Sequence, residues 1–136
     1  MEKLHLEIIT PDRVMVNEEV DMVEARGALG DFGVLPGHTT FLTTIVPCEV
    51  RFMTEGKTRH VSAGGGFAEV KDNEVTMLLD AAEFPEEVDL ERAKRALQRA
   101  ETALKELSSD DREYRVFEGA LLRAITRIST AENSIG

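Results

Sequence analysis

One cysteine, Cys48, stands in a chain of 136 residues. That scarcity excludes an internal disulfide framework and fits a reducing compartment. Long apolar runs are missing too, since no stretch approaches the ~20 residues that a membrane span needs. The opening MEKLHLEIIT has neither the basic region nor the long apolar region of a signal peptide, so a cytoplasmic, soluble chain without direct membrane insertion is expected. Internal repeats and low-complexity segments are also absent. The length fits one domain, or one small domain plus an appendage.

Catalytic patterns are equally scarce. The glycine-rich segment GALGDFGVLPGHTTFLTTIVP (27–47) has no Gly-Lys-Ser/Thr after it and no helix where phosphates would need amide donors. It reads as a large turn between strands. His5, His38 and His60 lack metal-ligand spacing with one another or with Cys48, and Ser62 lacks a nucleophile-elbow context. Glu18-Glu19 and Glu86-Glu87 are adjacent pairs, which suits solvated surface better than acid–base work. These absences lead to the expectation of a chain that is not an enzyme, with no metal site and no required cofactor.

Apolar residues make up 42% of the chain and charged residues 31%, enough for a real core under a charged surface. The net charge of −10 is uneven. Residues 1–87 hold 17 Asp/Glu against 7 Lys/Arg, whereas residues 88–136 hold 9 of each. An acidic body repels nucleic acid and anionic lipid, so neither is an expected partner. The positive charge of the second part is seven Arg and two Lys, a bias towards the group that binds carboxylate or phosphate bidentately.

The first part reads as short strands. Leu4, Leu6 and Ile8 alternate with polar residues until Pro11-Asp12, and Val14 and Val16 keep the two-residue period. Val20 to Val23 looks like another short strand. Val50 and Phe52 pair by pattern with Arg59 to Val61 across Thr54-Glu55-Gly56-Lys57, a hairpin signal. Phe67–Val70 and Val75–Leu79 do the same across Lys71-Asp72-Asn73, and Gly64-Gly65-Gly66 reads as a bulge or tight bend. Strands this short and closely spaced predict a sandwich or flattened barrel rather than a βαβ sheet.

The second part is helical. Leu90, Ala93, Leu97, Ala100, Leu104 and Leu107 recur at spacings of three and four, with Asp89 at the N-cap. Ser108 to Asp111 breaks the pattern, and Asp110 with Glu113 resembles a capping box for a second helix. There Tyr114, Phe117, Leu121, Ala124 and Ile128 repeat the spacing. So short a connection predicts an antiparallel helical hairpin over 88–130, then a frayed tail over 131–136. The fold class expected is therefore α+β, with Pro85-Glu86-Glu87 as the hinge. Arg92, Arg95 and Arg99 form one stripe, and Arg115, Arg123 and Arg127 another. Folding the hairpin brings Arg92 level with Arg127, and Arg95 to Arg99 level with Arg123, near Asp89 and Glu83. Two readings fit: an anion or carboxylate meets these guanidinium groups, or the stripes face water in weak Glu–Arg pairs.

GDFGVLPGHTTFLTTI (30–45), GGGFAEV (64–70) and VDLERAKRALQRA (88–100) together resemble the epsilon subunits of bacterial, proton-translocating F-type ATP synthases, over essentially the whole chain. The resemblance implies a flattened β-sandwich over residues 1–84 in a non-catalytic central-stalk (rotor) subunit that is peripheral to the cytoplasmic face of the bacterial inner membrane. Its sandwich would bind the gamma subunit and rest on the c-ring, with the turn at Asp31, Phe32, Val34, Leu35 and His38 near both. Its hairpin would extend into the catalytic alpha/beta head and oppose ATP hydrolysis, or fold down and permit turnover. Members with the pattern apolar-Asp-x-x-Arg-Ala bind a regulatory ATP on the folded hairpin. That pattern is present as Val88, Asp89, Arg92 and Ala93, with Val where the family usually has Ile or Leu. Glu83, Arg99, Arg123 and Arg127 match further positions around the nucleotide. In the extended hairpin Arg95, Arg99, Arg112, Arg115 and Arg123 would face the acidic loop of the beta subunit. The reading that competes with this is a stand-alone sandwich whose hairpin is an adaptor for acidic proteins.

Overall fold

A computed structural model describes residues 2–133. Ten strands come first: β1 Leu4–Ile9, β2 Val14–Val20, β3 Met22–Gly27, β4 Gly30–Val34, β5 Phe41–Ile45, β6 Cys48–Thr54, β7 Lys57–Ala63, β8 Gly66–Lys71, β9 Glu74–Leu79 and β10 Ala82–Glu83. A 3-10 turn, Pro85–Glu87, leads to α1 (Leu90–Glu106) and α2 (Arg112–Asn133). The hydrogen-bonded path runs β10-β7-β6-β3-β5-β8-β9-β1-β2, with β4 added on β3. Only the β1–β9 pair is parallel. β3 and β5 share a single pair, Gly27 with Ile45, and there the sheet turns over on itself. β2 comes back against β6, where Asp21 N–H donates to the Met53 carbonyl at 2.7 Å. The expected sandwich forms.

Alternation decides which face goes inside. Leu4, Leu6 and Ile8 of β1, Val50 and Phe52 of β6, Val61 of β7 and Val75 and Met77 of β9 are all wholly buried. A slip of one residue in any of these strands would turn its apolar set to water, so burial fixes the register. Both hairpins close as the sequence signals. Glu55 and Gly56 take φ of 52° and 77°, and Asp72 and Asn73 take 51° and 63°, the mirror-image turn that matches strand twist. At the Gly64–Gly66 bend, Gly66 has φ 150°, and a Cβ there would sit 2.0 Å from the Leu78 carbonyl oxygen.

Five local expectations need correction. Val20 to Val23 is no single strand, because Asp21 separates β2 from β3. The segment 27–47 is more than a turn, since it holds β4 and β5. Its glycines let β4 fold back on β3 from a tight connection, with Gly30 at φ 119°. The β1–β2 register shifts between Ile8 and Ile9, so Val14 pairs with Ile9 and its side chain is 55% exposed. Asp111, not Asp110, precedes α2, and its carboxylate accepts from the Ser108 N–H at 2.8 Å. The second helix runs through Asn133, so Ala131–Asn133 are helical, and residues 134–136 of the expected tail lie outside the described residues.

The hairpin packs through small residues. Ala93 and Ala100 of α1 and Ala124 of α2 are buried, which brings the backbones close. α1 packs chiefly on α2, while α2 also lies on β6, β7 and the 3-10 turn. Thr126 and Thr130 are buried off the expected apolar stripe. Their hydroxyls donate to the carbonyls of Leu122 and Thr126 at 2.8 and 2.7 Å, which satisfies them within the helix. Gly66→Ala should destabilise the sandwich by about 3 kcal/mol or more, or prevent folding, because the Cβ meets backbone that cannot yield. Denaturant unfolding followed by circular dichroism measures this.

Candidate functional site

Where the hairpin meets the sandwich, a groove of about 440 Å³ opens. Small side chains line its base: Ala63 and Gly64 at the end of β7, Ala81 and Ala82 before and in β10, and Ala96, Ala120 and Ala124 on the helices. The absence of bulk there makes the space. Arg92 of α1 and Arg123 and Arg127 of α2 enter the same groove beside Glu83. Glu83 binds Arg127 in a fork, with Nε at 2.6 Å and Nη2 at 3.3 Å from its two oxygens. Among the described residues, Arg92 and Arg123 have no carboxylate within ion-pair distance. Two guanidinium groups without a carboxylate partner thus stand beside an Arg–Glu pair, and the volume falls in the range of small-ligand sites.

The other expected nucleotide residues divide. Asp89 caps α1, its Oδ1 accepting from the Arg92 N–H at 3.1 Å, so it fixes the first turn that carries Arg92. Ala93 is wholly buried and acts in packing. Val88 is half-buried and extended between the 3-10 turn and α1. Neither Val88 nor Asp89 lines the groove. Arg99 lies elsewhere, with Arg95 and Phe117 in a separate shallow groove between the helices. The reason is axial: seven residues of helix separate Arg92 and Arg99 by about 10 Å. Arg123 shares the groove of Arg92 and Arg127, whereas Arg95 and Arg99 stand with Phe117, so the expected alignment of Arg95 to Arg99 with Arg123 is corrected. Arg112 and Arg115 are exposed on the first turns of α2, at the far end of the hairpin.

The turn residues divide as well. Asp31 is held by Arg26 at 2.7 Å, and that guanidinium keeps its carboxyl below the usual range. Phe32 meets Phe41 edge-on at 5.2 Å, and His38 also packs on Phe41. Leu35 is 58% exposed, but Val34 is wholly buried in the sandwich and unavailable to a partner in this conformation. Sequence reasoning missed the base of the groove. Gly64 was read only as part of a bend, and Ala63, Ala81 and Ala82 carry no local signal that they line one groove.

The linker before α1 is fastened rather than loose. Arg13 Nη2 donates to both Glu87 oxygens at 2.7 and 2.8 Å, and Glu87 also accepts from the Phe84 N–H at 2.9 Å. Arg13 and Arg59 both stand over the Phe84 ring, at 5.9 and 5.7 Å. The hinge expected at Pro85–Glu87 is thus clamped, and the extended residues left before α1 are Val88 and Asp89.

Residues 3–85 match the beta-sandwich domain of the ATP synthase delta/epsilon chain, and residues 86–132 match its long alpha-helix domain. The chain belongs to the ATP synthase delta/epsilon family. It is 47% identical over 133 residues to the ATP synthase epsilon chain of Geotalea daltonii, covering 98% of this chain and 96% of that one. Against the epsilon chain of Geobacter sulfurreducens it is 48% identical over 130 residues, covering 96% and 94%. A chain of the Euglena gracilis mitochondrial ATP synthase, solved as OSCP/F1/c-ring, superposes with TM-score 0.75 at 26% identity, covering 98% of this chain and 82% of that one. A chain of the Tetrahymena thermophila mitochondrial ATP synthase central stalk and c-ring shares the fold, with TM-score 0.59 at 10% identity over 99% and 98%. No helix among the described residues is long and apolar enough to cross a membrane, and none of their His, Cys, Asp or Glu side chains gather into a group of three that would hold a metal. The match of this family chain to relatives along nearly its whole length leaves the stand-alone adaptor without an observation that favours it.

The linker clamp has a pH signature. Arg13, followed by the Phe84 N–H, lowers the Glu87 carboxyl from its ordinary value. A lowered carboxylate contributes stability above its unfolded value and loses it as pH falls through the lowered one. Arg13→Ala should therefore raise the Glu87 titration towards the ordinary range and narrow the acid stability of the linker. Carboxyl NMR titration of the variant against the parent chain reads this directly.

Proposed function

We propose that this chain is a non-catalytic central-stalk subunit of a bacterial F-type ATP synthase, peripheral to the cytoplasmic face of the plasma membrane. In this reading the sandwich couples the gamma subunit to the c-ring, using the surface around Asp31, Phe32, Leu35 and His38. The hairpin is the regulatory part: extended, it engages the catalytic alpha/beta subunits and opposes ATP hydrolysis; folded on the sandwich, it permits turnover. Family membership along nearly the whole chain, and the likeness to a chain of an F1/c-ring assembly, support the rotor role.

The observation that carries the regulatory reading is the convergence of Arg92, Arg123 and Arg127 on one groove with Glu83. These residues come from both helices and from β10, so a nucleotide there would tie hairpin to sandwich. Its phosphates would meet Arg92 and Arg123, while Glu83 would accept from adenine or ribose once Arg127 turns to the phosphates. Arg99 supplies long-range charge from its separate groove. A ligand that binds only the folded hairpin shifts the equilibrium by its differential affinity, about 1.4 kcal/mol at ten times its dissociation constant. In the extended hairpin Arg95, Arg99, Arg112, Arg115 and Arg123 become available to the acidic loop of the beta subunit. Arg123 belongs to both sets, so the two engagements exclude one another.

Deleting residues 88–136 should leave assembly with gamma intact and raise ATP hydrolysis by the solubilised complex several-fold; unchanged hydrolysis would refute the inhibitory role. Titrating ATP against the isolated chain should give saturable binding at or below millimolar concentration. The Arg92→Ala/Arg123→Ala pair should weaken that binding about tenfold or more, as expected for lost charge-assisted phosphate contacts. Equal binding by parent and pair would count against this groove as the site.

A further inference from the structure

Beneath α2, three side chains form a row across the outer face of the sheet. Glu83 of β10 stands opposite Ser62 of β7, and Ser62 stands opposite Glu49 of β6. Directly paired residues share a face, so the two carboxylates flank Ser62 on the side that α2 covers. Each holds a different part of the last turns of the helix. Glu83 takes Arg127 inside the arginine groove. Glu49 accepts from the Ser129 hydroxyl at 3.2 Å and from the Asn133 amide at 2.9 and 3.1 Å, and it also bonds His60 of β7. The Glu49 side chain is only 14% exposed. Glu49, Ser129 and Asn133 border a second cavity, on the other side of α2 from the arginine groove, together with Arg26, Asp31 and Phe32.

We infer that two separable fasteners hold α2 on the sandwich, and that Glu49 is the one that a ligand in the arginine groove does not reach. The inference rests on the proposed reading of the hairpin as mobile. A polyanion in the groove competes with Glu83 for Arg127, so that fastener is exchanged when the groove fills. The contacts of Ser129 and Asn133 with Glu49 lie outside the groove and persist in both states. Lifting α2 would strip Glu49 of its helix donors and leave His60 as its remaining side-chain partner among the described residues, with water in place of Ser129 and Asn133. Hydrogen bonds to a charged group keep a net contribution even when water replaces them, which opposes release. Glu49 therefore sets how firmly the hairpin rests on the sandwich when no ligand is present.

Hydrogen exchange on the full chain without ATP tests this. Ser129 and Asn133 are exposed helix residues, so the Ser129→Ala/Asn133→Ala pair leaves the sandwich core intact. In that pair the amides of residues 120–133 should exchange about tenfold faster or more, while those of β1, β8 and β9 keep their parent rates. Glu49→Gln should move the same amides in the same direction. Unchanged exchange over α2 in both variants overturns the proposal. In an Arg127→Ala background the pair should still accelerate exchange by a comparable factor; no further acceleration would mean that the fasteners are not separable, and would overturn it too. A second readout separates this from the regulatory reading. Faster exchange in the variants with unchanged hydrolysis by the assembled complex would leave the Glu49 fastener standing and refute the mobile inhibitory hairpin.

Discussion

The seat of α2 on the outer face of β6, β7 and β10 is the contact on which the rest of the arrangement depends. α1 has little sandwich of its own to rest on and is carried by α2. The arginine groove exists only while that seat is occupied, since one wall is sheet and the other is helix. The seat combines small apolar side chains with polar fasteners. Thr126 and Thr130 are buried with their hydroxyls turned to their own helix, and the fastening is made by Glu49 and Glu83. A contact built from half-buried hydrogen bonds and one ion pair gives up less on opening than an apolar interface of the same extent, because water replaces its partners.

The charge distribution supports the proposal that the hairpin has more than one engagement. The sandwich and linker carry the whole net charge of −10, and the hairpin balances to zero with arginine as its main cation. The folded hairpin meets that acidic body through one arginine, Arg127, and leaves Arg92 and Arg123 without carboxylates among the described residues. Guanidinium groups held close without partners repel each other, so this arrangement favours an anion in the groove. The linker contributes order rather than slack. Arg13, Arg59, Phe84 and Glu87 bind it to the sandwich, which restricts the unfastened stretch to Val88 and Asp89.

Local signals were legible in the sequence and long-range ones were not. Both type I′ hairpins, the Asp89 cap, the alanine seam and the sandwich-then-hairpin order follow from spacing and turn chemistry within a few residues. The resemblance carried in three segments led to the family. By contrast, Glu49 meets Ser129 and Asn133 across 80 and 84 residues of chain, and no periodicity signals such a contact. Arg127 meets Glu83 across 44 residues; folding the hairpin about its turn brought the arginines near Glu83 but did not single out this pair. The strands β4 and β5 hid inside a glycine-rich segment because frequent glycines mask alternation. Arg99 was set level with Arg123 because spacing along each helix does not fix the axial register of one helix against the other, which pairs Arg95 and Arg99 with Phe117.

The claim at the centre of this account is that one hairpin occupies two exclusive positions and that nucleotide selects between them. Pulsed electron spin resonance on the assembled complex tests it most directly, with spin labels at Ser109 in the helical turn and at Asp72 in the β8–β9 turn. The single native cysteine is buried, and burial pushes its thiol up, so labelling can be confined to the introduced sites. With saturating ATP the account predicts one distance, that of the folded hairpin. Without ATP it predicts a second, longer population at the expense of the first. One unchanged distance under both conditions would contradict it.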